Sequence, residues 1–467
     1  MDIFEAIYER RSIRVFDPTK KIPDNVKREI LDAARYAPVS PDLMPQWRLL
    51  LLVEDKKVKE LLGESAAETA RIMFGCAFEV FSQHLWYMPE DTKLRVAEYT
   101  TTGELWKYPR DADMVVLPAW SRNAWTETIL TFTPHYGLLG VYLGFALQNM
   151  WLISVSHGVG AAFNGMPLLD IRKREVFYEH LGIPVSWETP GAFCFGYPPA
   201  IRFFGPARPQ LEGVVFSEYW GNPYEKVAFR KEKYETFSPP SKDVWDVIKS
   251  QCQYVTFSEG EKIDDLYIEK ILDSAIWGPV PENYKHWRFV IVKDKESKEF
   301  IRKISADRIY RPLFSNVPEV LWNRLWYIEP EKRLEKIEKE IERGYGKWFT
   351  DADTLIIVLC PRSLSWVDQP YTGVAFGHYA IHVATGCCIQ NMMLAATALG
   401  LGINWDPIPY GEGRLEELFK EYFGLPETWD VVGVLSLGWP GEKAEEPPRP
   451  PLEEIVFKEY WGNPYKE

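Results

Sequence analysis

Four residues near the start of the sequence have the types and spacing to bind a phosphate group. Arg10, Arg11, Ser12 and Arg14 form a compact set of hydrogen-bond donors. Guanidinium groups are planar and offer paired N–H donors, which match the oxygens of a phosphate carrying a charge of about -1.5 to -2. The alternative is a solvated, charged helix end, because short basic clusters are common on protein surfaces.

An internal repeat provides a second copy of this segment for comparison. The hexapeptide YWGNPY occurs at 219–224 and again at 460–465. The repeat predicts two copies of one domain, residues 1–235 and 236–467. The boundary is set in 229–242, where a charged run and Ser-Pro-Pro disfavour helix and suit an exposed connection.

Each copy contains the same order of predicted elements. Two helices precede a β-rich run, WRLLLLV at 47–53 or WRFVIV at 287–292, and a long apolar helix follows later. Because helices alternate with strands, each copy is predicted to be an α+β or α/β domain with a central sheet. The apolar helices of the two copies are expected to pack together in a pseudo-symmetric dimer, with a site at their junction that takes residues from both.

Composition excludes several classes of function. The 467 residues are 46% hydrophobic and 26% charged, with a formal net charge of -13. An acidic surface repels nucleic acids and anionic membranes, so a small molecule or a protein is the expected partner. The six cysteines include no CxxC pair, and we expect no metal site.

No membrane span is expected, and the predicted location is the cytoplasm. The amino-terminal residues MDIFEAIYERRSIRVF are amphipathic and charged, without the apolar core of a signal peptide. The uncharged stretch 383–402 is long enough to cross a bilayer, but Gln390 and Asn391 lie in its middle. It is therefore predicted to be a helix buried in the protein core.

The order of motifs resembles that of the FMN-dependent nitroreductase-like superfamily. ERRSIRVF (9–16), ILDAARYAPVS (30–40) and QWRLLLLVED (46–55) are similar to the opening of these flavoproteins, and GVGAAFNGMP (158–167) and, in the second copy, GLGINWDPIP (400–409) continue the resemblance. The resemblance implies an α+β fold with a central, mostly antiparallel sheet flanked by helices, and FMN bound between two subunits. Here the two halves of one chain would replace the subunits, as an intramolecular pseudo-dimer that could be monomeric.

The resemblance also implies a role for each candidate residue. The first copy would bind the phosphate through the amino-terminal motif and a late arginine, and would place a loop near the flavin N5 edge. The second copy would supply a loop that faces the ring. For the loop near N5, an ordinary turn explains the pair Asn164-Gly165 equally well. The expected cofactor-binding residues are Arg10, Arg11, Ser12, Arg14, Arg208, Asn164, Gly165, Met166, Pro279, Val280, Pro281 and Asn283.

Comparison of the copies predicts a single working flavin site. The positions that match the amino-terminal motif hold Gln251, Cys252, Gln253 and Val255. The cationic side chains are gone there, and a phosphate dianion against neutral groups in a buried site is costly. The first copy has Asp42 where the second has Asn283, and a carboxylate opposes the negative charge that builds on a reduced ring. Both losses fall on one site, which leaves the other intact.

These inferences predict an FMN-dependent oxidoreductase. The flavin would pass electrons or hydride through N5 to a small substrate, which could be aromatic or conjugated, while the polypeptide orients the ring. The electron donor is NAD(P)H or another reductant, and no catalytic side chain is assigned because no nucleophile or paired-carboxylate motif occurs. The alternative is a flavin-binding or flavin-processing protein, or a pseudo-enzyme scaffold, without turnover.

Overall fold

The computed structural model describes most of the chain. The described residues are 1–38, 48–121, 136–199, 208–225, 243–280, 287–307, 322, 325–362, 376–407, 413–444, 446 and 448–466. We call 1–225 the first half and 243–466 the second half. The predicted domain boundary at 235/236 lies between them, outside the described residues, and it stays a prediction.

The first half consists of helices on both sides of a set of buried strands. Its helices are α1 (Ile3–Glu9), α2 (Asp24–Arg35), α3 (Lys56–Phe74), α4 (Phe78–His84), α5 (Glu90–Thr101), α6 (Tyr108–Asp111), α7 (Tyr136–Ser156) and α8 (Ile171–Leu181). Its strands are β1 (Arg48–Val53), β2 (Met114–Ser121), β3 (Gly160–Asn164), β4 (Trp187–Glu188), β5 (Ala192–Gly196) and β6 (Val215–Ser217).

The second half repeats the same order. Its helices are α9 (Val244–Ser250), α10 (Asp265–Ile276), α11 (Lys295–Ser305), α12 (Pro330–Arg343), α13 (Lys347–Asp351), α14 (Phe376–Ala398), α15 (Gly413–Phe423) and α16 (Leu452–Ile455). Its strands are β7 (Arg288–Val292), β8 (Thr354–Pro361), β9 (Gly402–Asp406), β10 (Trp429–Gly438) and β11 (Val456–Lys458).

The matching helices α1 and α9 begin in the same way and lie together. The Asp2 carboxylate accepts a hydrogen bond from the Phe4 N–H at 2.8 Å, and the Asp243 carboxylate accepts one from the Trp245 N–H at 2.9 Å. Each aspartate thus satisfies an amide that has no partner within its helix. The two caps also pair through the backbone, so the starts of the two halves are adjacent.

Each half builds one sheet and lends a strand to the other. The strand order is β11-β1-β2-β5-β3 in the first sheet, where β4 also pairs with β2, and β6-β7-β8-β10-β9 in the second. The inner pairings are antiparallel, as predicted, whereas the lent strands β11 and β6 run parallel to β1 and β7. The sheets are therefore mixed, and the sequence did not predict the exchange of edge strands.

The long helices α7 and α14 cross at the centre of the molecule. A Cβ atom on Gly144 would lie 2.1 Å from the Val383 carbonyl oxygen, and one on Gly386 would lie 2.1 Å from that of Val141. Only glycine permits this approach of two backbones. Residues 137–156 of α7 are apolar enough to span a membrane by composition, but they are buried inside the protein. The stretch predicted as a core helix at 383–402 falls largely within α14 and is also buried, as expected.

Four buried amide side chains join α7 to α14 at this crossing. Gln148 Nε2 donates to Asn391 Oδ1 at 2.6 Å, and Gln390 Nε2 donates to Asn149 Oδ1 at 2.8 Å. The two asparagines then donate to the backbone carbonyl groups of Ala33 and Ser274. These polar residues of the long helices therefore pair with one another across the two halves, because buried amides need partners.

Candidate functional site

Arg10 follows α1 and turns its side chain into the protein interior. Its side chain is nearly inaccessible to solvent, with a residue exposure of 1%. Nη2 donates to the Trp277 carbonyl oxygen at 3.2 Å, and the guanidinium carbon lies 4.5 Å from the centre of the Trp151 ring. Nε and Nη1 are buried without a hydrogen-bond partner among the described residues. A solvated helix end is thereby excluded for this residue, and its free donors call for an acceptor.

Two further arginines of the first half converge on the same residue of the second half. The guanidinium carbons of Arg11 and Arg208 lie 5.0 and 5.3 Å from the Trp277 ring centre. Arg208 Nη1 donates to the Gly278 carbonyl oxygen at 3.4 Å, and Arg11 Nη1 donates to the Tyr8 carbonyl oxygen at 2.6 Å. The predicted early and late arginines are thus brought together, although they are far apart in sequence.

The cluster of Arg10, Arg11 and Arg208 brings three cationic side chains together, and the charge of Glu9 acts on Arg11. Burial, followed by the charge of Arg208, lowers the pKa of Arg10 to about 9. Burial and the charge of Arg11 lower the pKa of Arg208 to about 10, and burial lowers that of Arg11. Within the described ranges, these three arginines form no ion pair with a carboxylate. A bound anion would relieve this repulsion, which makes the cluster a candidate anion site.

The other two residues of the amino-terminal motif take different positions. The backbone of Ser12 forms a bridge with Ala161, and the Ile13 N–H donates to the Ala161 carbonyl oxygen at 2.9 Å. This pairing fixes the motif against β3. Arg14 is exposed, and its charge adds to the lowering of the Arg10 pKa. Arg14 therefore acts on Arg10 through its charge and is not buried with it.

The side chain of Asn164 stabilises the loop that follows β3 through hydrogen bonds. Asn164 is buried, its Nδ2 donates to the Trp106 carbonyl oxygen at 3.0 Å, and its Oδ1 accepts from the Met166 N–H at 3.1 Å. Gly165 has φ -77° and ψ -19°, which any residue adopts. The close approach here is made by Gly191, where a Cβ atom would lie 2.5 Å from the Asn164 carbonyl oxygen.

The second half reaches this region through the end of α10. Trp277 caps α10, and Gly278, Pro279 and Val280 follow it. Pro279 and Val280 are half-buried, and Arg208 donates to the carbonyl oxygen of Gly278, the residue before them. Pro281 and Asn283 lie outside the described residues, as does Asp42 of the first copy.

At the equivalent positions of the second copy, the polar side chains form hydrogen bonds within the protein. Gln251 Oε1 accepts from Gln390 Nε2 at 2.9 Å, and Gln253 Oε1 accepts from the Trp405 N–H at 2.8 Å. Arg449, the counterpart of Arg208, donates to Glu446 at 2.8 Å. The second copy thus has neutral side chains where the first has the cations of its amino-terminal motif, and its late arginine is paired with a carboxylate.

Two residues that sequence reasoning missed also distinguish the second cleft. Trp405 stands where the first copy has Phe163, and its buried indole ring lies 5.2 Å from Tyr142 and 5.0 Å from Phe145, both on α7. Pro407 stands where the first copy has Gly165, and proline has no backbone N–H. Both differences can be read from the sequence when GVGAAFNGMP of the first copy is aligned with GLGINWDPIP of the second.

A separate group of potential metal ligands lies in the second half. Ligand atoms of Cys360, His382 and Asp430 come within 4.8 Å of one another, which no short motif indicates. Asp430 already accepts from Arg362 Nε at 2.7 Å, and burial raises the pKa of the Cys360 thiol well above its ordinary value. Both features oppose metal binding. The expectation that the chain holds no metal stays a prediction.

Comparisons with known proteins identify the family. Residues 7–197 and 256–439 match the model of the Nitroreductase family. A protein provisionally named NADH dehydrogenase/NAD(P)H nitroreductase from Methanothermobacter thermautotrophicus is 28% identical over 200 residues, 43% of this chain and 78% of that protein. One of the same description from Archaeoglobus fulgidus is 24% identical over 184 residues, 39% of this chain and 78% of that protein.

Solved structures were matched as well. A nitroreductase with bound FMN from Desulfitobacterium hafniense is 16% identical, with a TM-score of 0.33, and the match covers 46% of this chain and 98% of that chain. The family model matches two separate ranges that together make up more than half of the sequence. The protein therefore belongs to the nitroreductase family and carries two tandem copies of the family's domain.

Proposed function

We propose that the protein is an FMN-dependent oxidoreductase with one FMN site per chain, at the junction of its two halves. The observation that carries the proposal is the cluster of Arg10, Arg11 and Arg208, in which Arg10 is buried, the other two are half-buried, and none forms an ion pair with a carboxylate in the described part of the chain. Arg10 retains two buried donors without partners there. A phosphate dianion supplies both the charge and the acceptors that this cluster lacks.

Residues of both halves would hold the cofactor. The three arginines, with Ser12 and Arg14 at the rim, would bind the phosphate. Because the Met166 N–H is taken by Asn164, we propose Gly165 as the backbone donor toward flavin N5. The loop of the second half, with Pro279, Val280, Pro281 and Asn283, would face the ring.

The flavin, when bound, would supply the redox chemistry by accepting and passing electrons or hydride at N5. The chain would orient the ring, and cations or N–H donors near its pyrimidine edge would favour a reduced, anionic form. We propose NAD(P)H as the electron donor, because a similar protein is provisionally named as an NADH dehydrogenase/NAD(P)H nitroreductase. The acceptor would be a small molecule, and aromatic or conjugated compounds are the first to screen.

We further propose that the chain is an intramolecular pseudo-dimer, with domains 1–235 and 236–467, which functions as a monomer in the cytoplasm. Support comes from the crossing of α7 and α14 and from the exchange of β6 and β11 between the sheets. In this arrangement one cleft keeps its cations, and the other has Gln251 and Pro407 in place of Arg10 and Gly165.

The test is the flavin content of the purified protein and of two matched variants. The wild-type chain is expected to be yellow, with one FMN, and to oxidise NAD(P)H with an acceptor. Arg10→Ala should weaken FMN binding by roughly tenfold to a few hundredfold, because charge-assisted hydrogen bonds contribute about 1.5–3 kcal/mol each. Gln251→Ala, the same change in the other cleft, should leave FMN content at one.

Three outcomes would contradict the proposal. Two FMN per chain would refute the single site, and an Arg10→Ala variant with full FMN affinity would refute the phosphate assignment. Tight FMN binding without turnover by any donor and acceptor would favour the flavin-binding scaffold instead.

A further inference from the structure

Trp277, in the second half, contacts all three arginines of the candidate anion site. It caps α10 with φ -87° and ψ -3°. Its carbonyl oxygen accepts from Arg10, and its ring faces the guanidinium groups of Arg11 and Arg208. The Tyr8 ring meets the indole edge-on at 5.4 Å and supports its orientation.

These contacts hold cations without neutralising them. A carboxylate would fix the arginines equally well, but it would cancel the charge needed for an anion. The carbonyl groups at the end of a helix carry only partial negative charge, and an indole face attracts a cation through its quadrupole. Both interactions leave the net charge of the cluster intact.

We propose that Trp277 is a positioning residue for phosphate recognition: it sets the spacing of Arg10, Arg11 and Arg208 from across the junction. This inference rests on the proposed FMN site and adds to it. Phosphate binding then depends on the docking of the second half, although every cation that binds the phosphate belongs to the first.

The second copy contains a related arrangement, in which the late arginine is paired with a carboxylate. Tyr36 stands at the matching position, and the Arg449 guanidinium lies 5.3 Å from its ring centre. Arg449 Nη1 donates to the Arg35 carbonyl oxygen at 3.0 Å, but its Nη2 is bound to Glu446. Tyr36 therefore provides a matched control: it occupies the equivalent position, but the arginine that faces its ring from the end of the other half is paired with a carboxylate.

The experiment compares the affinity of the flavin-free protein for FMN and for riboflavin, which lacks the phosphate. Binding is followed by quenching of flavin fluorescence in the wild type and in Trp277→Ala, Trp277→Phe and Tyr36→Ala. Trp277→Ala should weaken FMN binding by roughly tenfold to a hundredfold, from the loss of two cation–π contacts, while riboflavin binding changes little. Trp277→Phe should retain most of the preference for FMN, and Tyr36→Ala should retain all of it.

The two ligands separate the possible failures. An equal loss of FMN and riboflavin affinity in Trp277→Ala, or an unchanged preference for FMN, would overturn the role of Trp277. If Trp277→Ala does not fold, Trp277→Phe and Trp277→Leu decide the question, because a preference that is the same in both would overturn it as well. A wild-type protein that binds riboflavin as tightly as FMN would instead refute the proposed phosphate site itself.

Discussion

The crossing of α7 and α14 predicts that one added methyl group destabilises the whole chain. In Gly144→Ala the new Cβ atom would lie 2.1 Å from the Val383 carbonyl oxygen and 2.8 Å from the Gly386 Cα atom. An ordinary contact requires the helices to separate by about 1 Å or more. Overpacking of this kind costs about 1–3 kcal/mol, and the higher helix propensity of alanine returns about 1 kcal/mol.

Because backbone atoms on both sides block relief, we expect the cost at the upper end or beyond. The free energy of unfolding should fall by about 2 kcal/mol in Gly144→Ala. Chemical denaturation followed by tryptophan fluorescence measures this loss. Gly213→Ala is the control, since a Cβ atom there has no neighbour within 4 Å, and its stability should stay within about 0.5 kcal/mol of the wild type.

An equal or higher denaturation midpoint for Gly144→Ala would refute the reasoning, because it would mean that the two helices are not in backbone contact. A loss of the same size in Gly213→Ala would show that the effect is not specific to the crossing. The flavin content of Gly144→Ala should fall together with its stability, since the proposed site lies between the halves that these helices join.

Three further outcomes follow from the charges and packing. Since burial and Arg208 lower the pKa of Arg10 to about 9, and a bound dianion favours its charged form, the ratio of FMN to riboflavin affinity should fall as pH rises above about 9 in a fluorescence titration. Trp405→Ala should lower the free energy of unfolding by about 3–5 kcal/mol, yet FMN measured by absorbance should remain at one per chain. Burial acts to raise the pKa of Asp113, but hydrogen bonds from Lys21 and a backbone N–H outweigh it and lower the pKa. The carboxylate therefore stabilises the fold above its ordinary pKa of 3.8, and the loss of about 1–3 kcal/mol in Asp113→Asn should be seen by denaturation at neutral pH and shrink as pH falls below that value.

The sequence was sufficient to predict the features that depend on local patterns or on the internal repeat. The repeated YWGNPY and the alternation of helices with strands predicted two similar α+β units, and the mid-segment Gln390 and Asn391 predicted a buried helix. Arg10 and Arg208 were both named as phosphate ligands from the resemblance, and the structure brings them to one residue, Trp277.

Features that depend on contacts between the halves could not be predicted. Trp277 contacts Arg10 across a sequence separation of 267, and no spacing rule connects a helix cap to an arginine at that distance. The exchange of β6 and β11 could not be predicted either, because the sequence of a short strand does not indicate which sheet it joins. The differences at Trp405 and Pro407 can be read from the aligned copies. The sequence does not show, however, that the Trp405 ring packs against α7.

The lent strand β11 has a consequence for how the chain is made. Leu50 pairs with Val456, so the first sheet receives its edge strand only after 406 further residues have been added. Until then β1 presents an open row of amide and carbonyl groups, of the kind that attracts strands from other molecules. The ribosome thus synthesises the first half well before the segment that covers its exposed edge, and the interval between them is the period in which a nascent chain is most exposed to aggregation.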